Sequence, residues 1–356
     1  MQNEDRQEIS ETLKLLIHNN TKCQDMSGEK IYGNMQKVEK KNITGMTYQL
    51  SNETGHGEIT VYRVFTGIEL YYNDMHMEYC NQNQATAKNM IEINHCLIGR
   101  FECSFGENSY CYMAEGDLSI SSMMKKKSNS CFPLNHYHGI SIIINLDELL
   151  PEVRQIMELL NIDLHYIQKY ICEGNRCCIM RANSSIEHIF SELYHVREKR
   201  KPGYMKIKML ELLLFLSDLN TAEEVLQTDY FNQNQVTLIK AVASYITEDL
   251  TIHHTIEQLS QKFKISTTAL KKCFRGVYGT SVYSYLRTYR LQVAQKLLLE
   301  TESSVTEIAS KIGYENPNKF TSAFKGMYGC SPTEFRKSVR LDRSGLYGVA
   351  KKSELY

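Results

Sequence analysis

The chain has 356 residues, 42% hydrophobic and 23% charged, which is enough for two or three domains with buried cores. Its 41 Lys and Arg residues balance 41 Asp and Glu residues, so a protein that coats nucleic acid along its whole length is excluded. No run of 18 apolar residues occurs, so the sequence predicts no membrane-spanning helix.

The chain start and the cysteine content indicate a cytoplasmic protein. Residues 1–10 are polar and charged, unlike the apolar core of a secretory signal. The 11 cysteines are an odd number, which a disulfide framework does not require. We therefore predict a cytoplasmic location, reduced thiols and no membrane association.

The first predicted elements are a helix and a set of strands. Apolar residues recur at helical spacing from Ile9 to Ile17. From about residue 45 the period changes to two, as in Ile59 and Val61, and residues 140–146 form an apolar strand. Several short strands separated by Gly and Asn predict a β-sandwich or barrel within residues 1–146.

Residues 147–220 return to helical periodicity. Their last apolar stripe is a broad face that either packs within the N-terminal half or pairs with a second copy of the chain. This face consists of Met205, Met209, Leu212, Leu213 and Leu216. Residues 221–235 are polar and acidic, and we predict a linker there.

Residues 236–340 contain one sequence pattern twice. The segment Phe274-Arg275-Gly276-Val277-Tyr278-Gly279 returns 50 residues later as Phe324-Lys325-Gly326-Met327-Tyr328-Gly329. Each copy predicts a short helix, a tight turn and a second helix that ends at glycine. Ser266 is a suitable N-cap for the first of these second helices, and Pro317 suits the first turn of the other. We predict an all-α domain with two helix-turn-helix motifs, followed by a loose tail at residues 341–356.

Charge and side-chain chemistry associate this domain with nucleic acid. Residues 231–340 hold 15 Lys and Arg against 8 Asp and Glu, whereas residues 1–230 hold 23 against 31. The second helix of each motif leaves hydroxyl, amide and cationic side chains outside, which suits base edges and phosphates in a major groove. These side chains are Thr267, Thr268, Lys271, Lys272 and Arg275 in the first copy, and Asn316, Asn318, Thr321, Ser322 and Lys325 in the second.

A family resemblance rests on the second copy. Ile308-Ala309-Ser310-Lys311-Ile312-Gly313-Tyr314, followed by Phe320, Phe324-Lys325, Tyr328-Gly329, Ser331-Pro332 and Phe335-Arg336, resembles the signature of the AraC/XylS family of transcription regulators. The resemblance covers roughly the last third of the chain. It implies two motifs joined by a long helix, here Val282 to Glu300. It also implies that eight of the outward residues contact bases of double-stranded DNA, while Arg275 and Lys325, which lie closer to the C-terminal ends of their helices, are expected to contact phosphates.

The same resemblance implies an architecture for the whole chain. Residues 1–146 would be a cupin-like sensory domain, 147–220 a helical dimerisation segment, 221–235 a linker and 236–340 the DNA-binding domain. The fold class is therefore α+β. Expected partners are double-stranded DNA, RNA polymerase, a small-molecule effector and a second copy in a homodimer.

A shorter resemblance concerns the strand-rich half. Gly55-His56-Gly57-Glu58-Ile59, Gly67-Ile68-Glu69-Leu70 and His138-Gly139-Ile140-Ser141-Ile142 are similar to the sensory half of regulators of pyochelin and yersiniabactin uptake. This similarity implies a ferric siderophore or a related chelate as effector. Residues on alternating strands or at a strand mouth are the candidates for its pocket. They are Tyr62, Tyr72, Tyr110, Tyr112, His136 and His138.

The remaining candidate sites are a metal site and an enzyme active site. Cys131, His136 and His138 have a spacing that can supply three metal ligands, but loop or pocket positions also explain them and no fourth ligand is marked. We assign no metal and no resident cofactor. No GxSxG, HExxH, P-loop or GxGxxG motif occurs, so no enzyme is predicted. The sequence predicts a ligand-responsive transcription activator; the alternative is a ligand-binding or scaffold protein whose helix-turn-helix domain contacts proteins.

Overall fold

In the computed structural model the chain forms two compact units, Met1–Gln233 and Asn234–Tyr356. The structure describes residues 36–38, 45–80, 89–105, 108–122, 130–171, 177–218 and 229–343. The helix predicted from Ile9 to Ile17 lies outside the described residues. So do residues 221–228 of the predicted linker and residues 344–356 of the predicted tail.

The N-terminal unit contains two β-sheets, which confirms the prediction of a strand-rich N-terminal half. Its strands are β1 Gln36–Val38, β2 Met46–Asn52, β3 Gly55–Phe65, β4 Ile68–His76, β5 Tyr79–Cys80, β6 Met90–Gly99, β7 Phe101–Phe105, β8 Ser109–Met113, β9 Leu118–Ser122, β10 Ser130–Cys131, β11 Tyr137–Asn145, β12 Cys178–Met180 and β13 Phe231–Asn232. The larger sheet has the order β1-β2-β3-β4-β11-β6-β9-β12, and the smaller has the order β13-β8-β7-β10-β5. Neighbouring strands in both are antiparallel.

The larger sheet is buried on both faces. On β3, Ile59 and Val61 belong to a cluster that includes side chains of the smaller sheet. Tyr62 and Val64 belong to a second cluster, which includes helical side chains. Burial of each Ile or Val in these clusters contributes about 1.5–3 kcal/mol. Because both faces are covered, the alternation seen at Ile59 and Val61 gives way to apolar side chains on the other face at Tyr62 and Val64.

Helices of the N-terminal unit cover one face of the larger sheet. They are α1 Pro151–Leu159, α2 Leu164–Tyr166, α3 Ser184–His195 and α4 Lys201–Ser217, with a π-helical turn at Ile167–Ile171 and a 3₁₀ turn at Glu198–Arg200. The side chain of Asn183 caps α3 by accepting hydrogen bonds from the N–H groups of Ser185 and Ile186. Pro202 lies in the first turn of α4, where its missing N–H leaves no helical hydrogen bond unmade.

The broad apolar face of α4 is core. Its five members, Met205, Met209, Leu212, Leu213 and Leu216, are each 0–1% exposed and pack in the cluster that also includes Ile142 and Phe190. The prediction that this face pairs with a second copy is therefore wrong, and its alternative, packing within the N-terminal half, holds. Helical periodicity identifies an apolar face but not what covers it.

Two short strands lie where the sequence predicted helix or linker. Within the predicted helical segment, β12 pairs with β9. Within the predicted linker, Phe231 of β13 pairs with Tyr110 of β8 and is buried. A helix follows directly at Gln233, so residues 231–235 are not a linker. Strands of two or three residues are too short to show a period of two.

In the C-terminal unit most of the described residues are helical. The helices are α5 Gln233–Glu248, α6 Ile256–Phe263, α7 Thr267–Tyr278, α8 Val282–Glu300, α9 Val305–Lys311, α10 Pro317–Tyr328 and α11 Pro332–Arg343. Ile308, Phe320 and Phe324 pack against Leu291 and Ala294 of α8 in one core. The prediction of a helical domain with two helix-turn-helix motifs is confirmed. Within the described part of the chain, no helix is both long and apolar enough to cross a membrane.

Candidate nucleic-acid interface

The first helix-turn-helix motif consists of α6 and α7, and side-chain caps fix both helix starts. Thr255 and Gln258 form a capping box at α6, with reciprocal bonds of 3.2 and 2.9 Å. Lys264 ends α6 in the left-handed conformation, with φ of 52°. Ser266 then caps α7 by accepting a hydrogen bond from the Ala269 N–H. The chain therefore turns between the two helices over only Lys264 to Ser266.

The second motif consists of α9 and α10 and repeats this arrangement with different residues. Ser304 and Glu307 form the capping box of α9, and the hydrogen bond from the Ser304 backbone N–H lowers the pKa of Glu307. Gly313 lies in the turn with φ of 79°. Asn316 caps α10 by accepting a 2.8 Å bond from the Asn318 N–H, and Pro317 follows in the first turn. Asn316 thus has a structural role besides the predicted base contact.

We call α7 and α10 the reading helices, because the predicted DNA contacts lie on them. Each of them buries one face and leaves the other outside. Helix α7 buries Leu270, Phe274 and Val277, and α10 buries Phe320 and Phe324. The ten predicted DNA-contact residues lie on the remaining surface. Exposed are Thr268, Lys271, Lys272, Arg275, Asn316, Asn318, Ser322 and Lys325, and half-buried are Thr267 and Thr321.

A groove next to the start of α10 adds residues that sequence reasoning did not assign. It encloses about 600 Å³ and is lined in part by Arg287, Lys319 and Tyr283. Arg287 and Lys319 are exposed cations, and Tyr283 is 74% exposed. Lys319 lies on α10 next to the predicted contact residue Asn318, whereas Arg287 lies on α8, whose apolar pattern gave no functional signal.

The turn of the second motif is held against the loop that follows α5. The Arg290 Nη2 atom of α8 donates a 2.6 Å hydrogen bond to the Leu250 carbonyl oxygen. Burial lowers the pKa of Arg290. A Cβ at Gly313 would lie 2.0 Å from the same carbonyl oxygen and 2.9 Å from the Arg290 Nη2 atom. Glycine is therefore required there both by its positive φ and by this close approach.

Gly313→Ala is accordingly expected to destabilise the C-terminal unit by about 2–4 kcal/mol, since it combines left-handed strain with a backbone clash. The matched control is Gly326→Ala within α10, where a Cβ would meet nothing within 4 Å. That substitution should stabilise the helix by roughly 0.5–1 kcal/mol. Denaturant unfolding of both variants measures the difference, and equal midpoints would contradict the assignment of strain to Gly313.

The structure places the six predicted effector residues in three separate locations. Tyr62 and Tyr72 lie against the helices, where the Lys201 Nζ atom is 4.9 and 4.5 Å from their ring centroids. Tyr110 and Tyr112 lie on β8 of the smaller sheet. His136 and His138 lie near the start of β11. These residues therefore do not line one pocket. The sequence indicated strand positions but not which strands adjoin or which face each side chain occupies, so it could not place the six side chains relative to one another.

A different set of side chains meets between the two sheets. The small cavity there encloses about 10 Å³, and its lining includes Asn73, Glu92, Asn94, Tyr137 and Ser141. The Asn73 Nδ2 atom donates a 2.8 Å hydrogen bond to Ser141 Oγ, while Asn73 Oδ1 accepts none within the described residues. Such a volume holds at most about one water molecule. The cavity is thus polar but closed to an organic molecule in this conformation.

Comparison with known proteins finds a domain family that matches within the helical unit. Residues 259–338 match the family described as a helix-turn-helix domain. The chain is 34% identical over 103 residues to the uncharacterized HTH-type transcriptional regulator YdiP of Escherichia coli K12, covering 29% of this chain and 34% of that protein. It is 21% identical over 210 residues to the HTH-type transcriptional activator RhaR of Mannheimia succiniciproducens, covering 56% of this chain and 71% of that one.

A solved structure of a probable AraC family transcriptional regulator from Rhodopseudomonas palustris is 29% identical. It covers 29% of this chain and 96% of its own, with a TM-score of 0.27. The match to YdiP spans only about a third of that protein, 34% of its length. The residues that match the helix-turn-helix family, 259–338, all lie in the C-terminal unit.

Proposed function

We propose that the protein is a one-component transcription regulator of the AraC/XylS type that reads two successive major-groove segments; residues 259–338, which match the helix-turn-helix domain family, support this. The observation that carries the proposal is the pair of capped motifs with polar outer faces, Thr268 to Arg275 and Asn316 to Lys325, within one basic unit. The relatives are transcription regulators rather than enzymes, and we propose no catalytic role.

The length of the connecting helix supports two-segment reading. Helix α8 has 19 residues, which corresponds to roughly 28 Å at 1.5 Å per residue. Successive major-groove segments on one face of a duplex are about 34 Å apart, a similar distance. Both motifs also pack against α8, so they are held by one rigid element. Two rigidly linked reading helices fit one side of a duplex better than two separate sites.

The proposal is tested by binding of the full-length protein to a fragment of its own promoter at several salt concentrations. We expect specific binding with an affinity that falls as the salt concentration rises. The reason is that Lys and Arg side chains release counterions from the DNA phosphates, and this release is less favourable at high salt. Lys325→Ala should weaken binding to specific and random DNA alike and reduce the salt slope by about one. Lys296→Ala is the matched control, because it also removes one exposed positive charge, but from α8, where no DNA contact is predicted. Salt-independent binding, or none, would favour the scaffold alternative.

We also propose that a small-molecule effector binds the N-terminal unit. The polar cavity lined by Glu92, Asn94 and Ser141 supports this, because buried polar side chains that converge on one space are typical of ligand sites. An effector must widen that space, and binding can alter transcription only if it prefers one conformation. The polar lining favours a hydrogen-bonding ligand, and ferric chelates belong in the test panel.

Calorimetric titration of a fragment ending at Gln233 tests the effector site. The fragment must include β13, since Phe231 is buried against the smaller sheet. We expect a metabolite or chelate that binds this fragment and loses affinity in Asn94→Ala. A folded fragment that stays silent, while residues 234–343 bind the effector, would contradict this location.

We further propose homodimerisation through the outer side of α4. Tyr204, Ile207 and Leu214 are 36%, 63% and 43% exposed and follow one stripe of the helix. Three large apolar side chains in one exposed stripe are typical of a protein–protein interface. A dimer that activates transcription would act with RNA polymerase on chromosomal DNA in the cytoplasm.

A further inference from the structure

Four of the protein's 11 histidines gather at one end of the larger sheet. Two of them, His76 and His138, flank the carboxylate of Asp74 on β4, and the other two, His56 and His136, lie next to these. The rings of His76 and His138 are 5.4 Å apart, that of His56 is 5.6 Å from His76, and that of His136 is 6.5 Å from His138. We call these five residues the histidine cluster. Neither the DNA-binding surface nor the polar cavity includes them.

Strand register brings the histidine cluster together. Asp74 and His76 are two residues apart on β4, so their side chains share one face of the sheet. His138 on β11 pairs with Asp74, and His56 on β3 pairs with His76. A register shift between His138 and Gly139 in the pairing of β11 with β6 marks a bulge, which typically re-aims the adjacent side chain.

Three donor atoms of the cluster have the separation of ligands around one ion. The Asp74 Oδ1 atom lies 2.9 Å from His76 Nε2 and 3.3 Å from His138 Nε2. All three donors lie within 4.8 Å of one another. Ligands about 2.0–2.1 Å from a tetrahedral zinc ion are about 3.3 Å apart. Small side-chain rotations therefore suffice to place an ion between them.

The cluster is also accessible and electrically suited to a cation. The side chains of Asp74, His76 and His138 are 51%, 31% and 22% exposed, so an ion can enter from solvent. The Asp74 carboxylate lies beside both imidazoles and contributes the negative charge that attracts a cation.

We propose that Asp74, His76 and His138 form a binding site for a divalent first-row transition-metal ion. Two imidazoles and one carboxylate are the ligands preferred by zinc, nickel, copper(II) and iron(II). Solvent can fill the remaining coordination positions, and the rings of His56 and His136 adjoin those of His76 and His138. The site is independent of the proposed DNA reading. It also differs from the trio Cys131, His136 and His138 considered from sequence, since His138 pairs with Asp74 instead.

Cobalt(II) is the probe for this site, because its absorption reports ligand type. Full-length protein stripped with a chelator should bind one cobalt ion per chain, which zinc displaces. Its spectrum should show nitrogen and oxygen coordination without thiolate charge transfer. Asp74→Asn and His138→Gln should each lower the affinity at least about 10-fold. His188→Gln is the matched control, because His188 lies in the same unit and pairs with Glu211 at 3.5 Å.

Several outcomes would overturn the proposal. These are the absence of cobalt binding, unchanged affinity in both variants, or a thiolate band. A thiolate band would locate the ion at the buried trio Cys103, Cys111 and Cys177, the other described group with suitable spacing. Circular dichroism establishes that each variant is folded. Because His138 lies at a partly exposed strand end, His138→Gln decides the matter even if Asp74→Asn fails to fold.

Discussion

Leu213→Glu is expected to abolish folding of the N-terminal unit. Leu213 is 0% exposed in the middle of α4 and packs in the cluster beneath the larger sheet. The substitution removes about 1.5–3 kcal/mol of apolar burial. It also buries a carboxyl group without a partner, which costs several kcal/mol more. The sum is comparable with the entire stability of a typical domain, about 5–15 kcal/mol.

Ile207→Glu is the matched control on the same helix. Ile207 is 63% exposed, so its replacement should leave the unfolding midpoint nearly unchanged. Circular dichroism and denaturant titration compare the two variants. Sedimentation of Ile207→Glu also tests the proposed dimer, since a charge within an apolar interface should give a monomer. A folded Leu213→Glu variant with the wild-type midpoint would show that this face of α4 is not core.

The helix-turn-helix motifs could be predicted because their determinants are local. Ser266 caps α7, Gly279 ends it in the left-handed conformation, and Pro317 lies in the first turn of α10, as the sequence indicated. Each of these features depends on neighbours within one or two helical turns. The repeat then supplied a second, independent copy of the same pattern. Short-range patterns of this kind survive in the sequence without knowledge of the tertiary fold.

The N-terminal unit was predicted less completely because its contacts are distant in sequence. Alternation indicated strands, but not that β4 and β11 adjoin and place His138 opposite Asp74. It also could not show that β13 joins the smaller sheet through Phe231. The five apolar residues of α4 were recognised as one face, yet only packing showed that the sheet cluster covers it. Strand order is set by long-range pairing, which a single sequence does not display.

Substitutions in the two reading helices are expected to affect different bases of one operator. Lys272 is exposed on α7 and Asn318 on α10, and each lies on a different motif. Alanine at either position should cost about 1–3 kcal/mol on the operator and relax base preference within one major-groove segment. The two affected segments should be about one helical turn apart. Binding to operators changed one base pair at a time locates each segment.

The double variant Lys272→Ala/Asn318→Ala distinguishes two-segment reading from reading by one motif. Because the two residues lie on separate helices, their costs should add to about 2–6 kcal/mol on the operator. Random DNA offers no matched bases, so affinity there should fall far less, mainly through the lost Lys272 charge. Lys296→Ala again serves as the charge-matched control, since α8 contributes no predicted base contact. If both single variants relax the same base pairs, the helices do not read successive segments. If Asn318→Ala has no effect on any operator, α7 alone carries the specificity, and α10 serves to hold the domain on the duplex through Lys325.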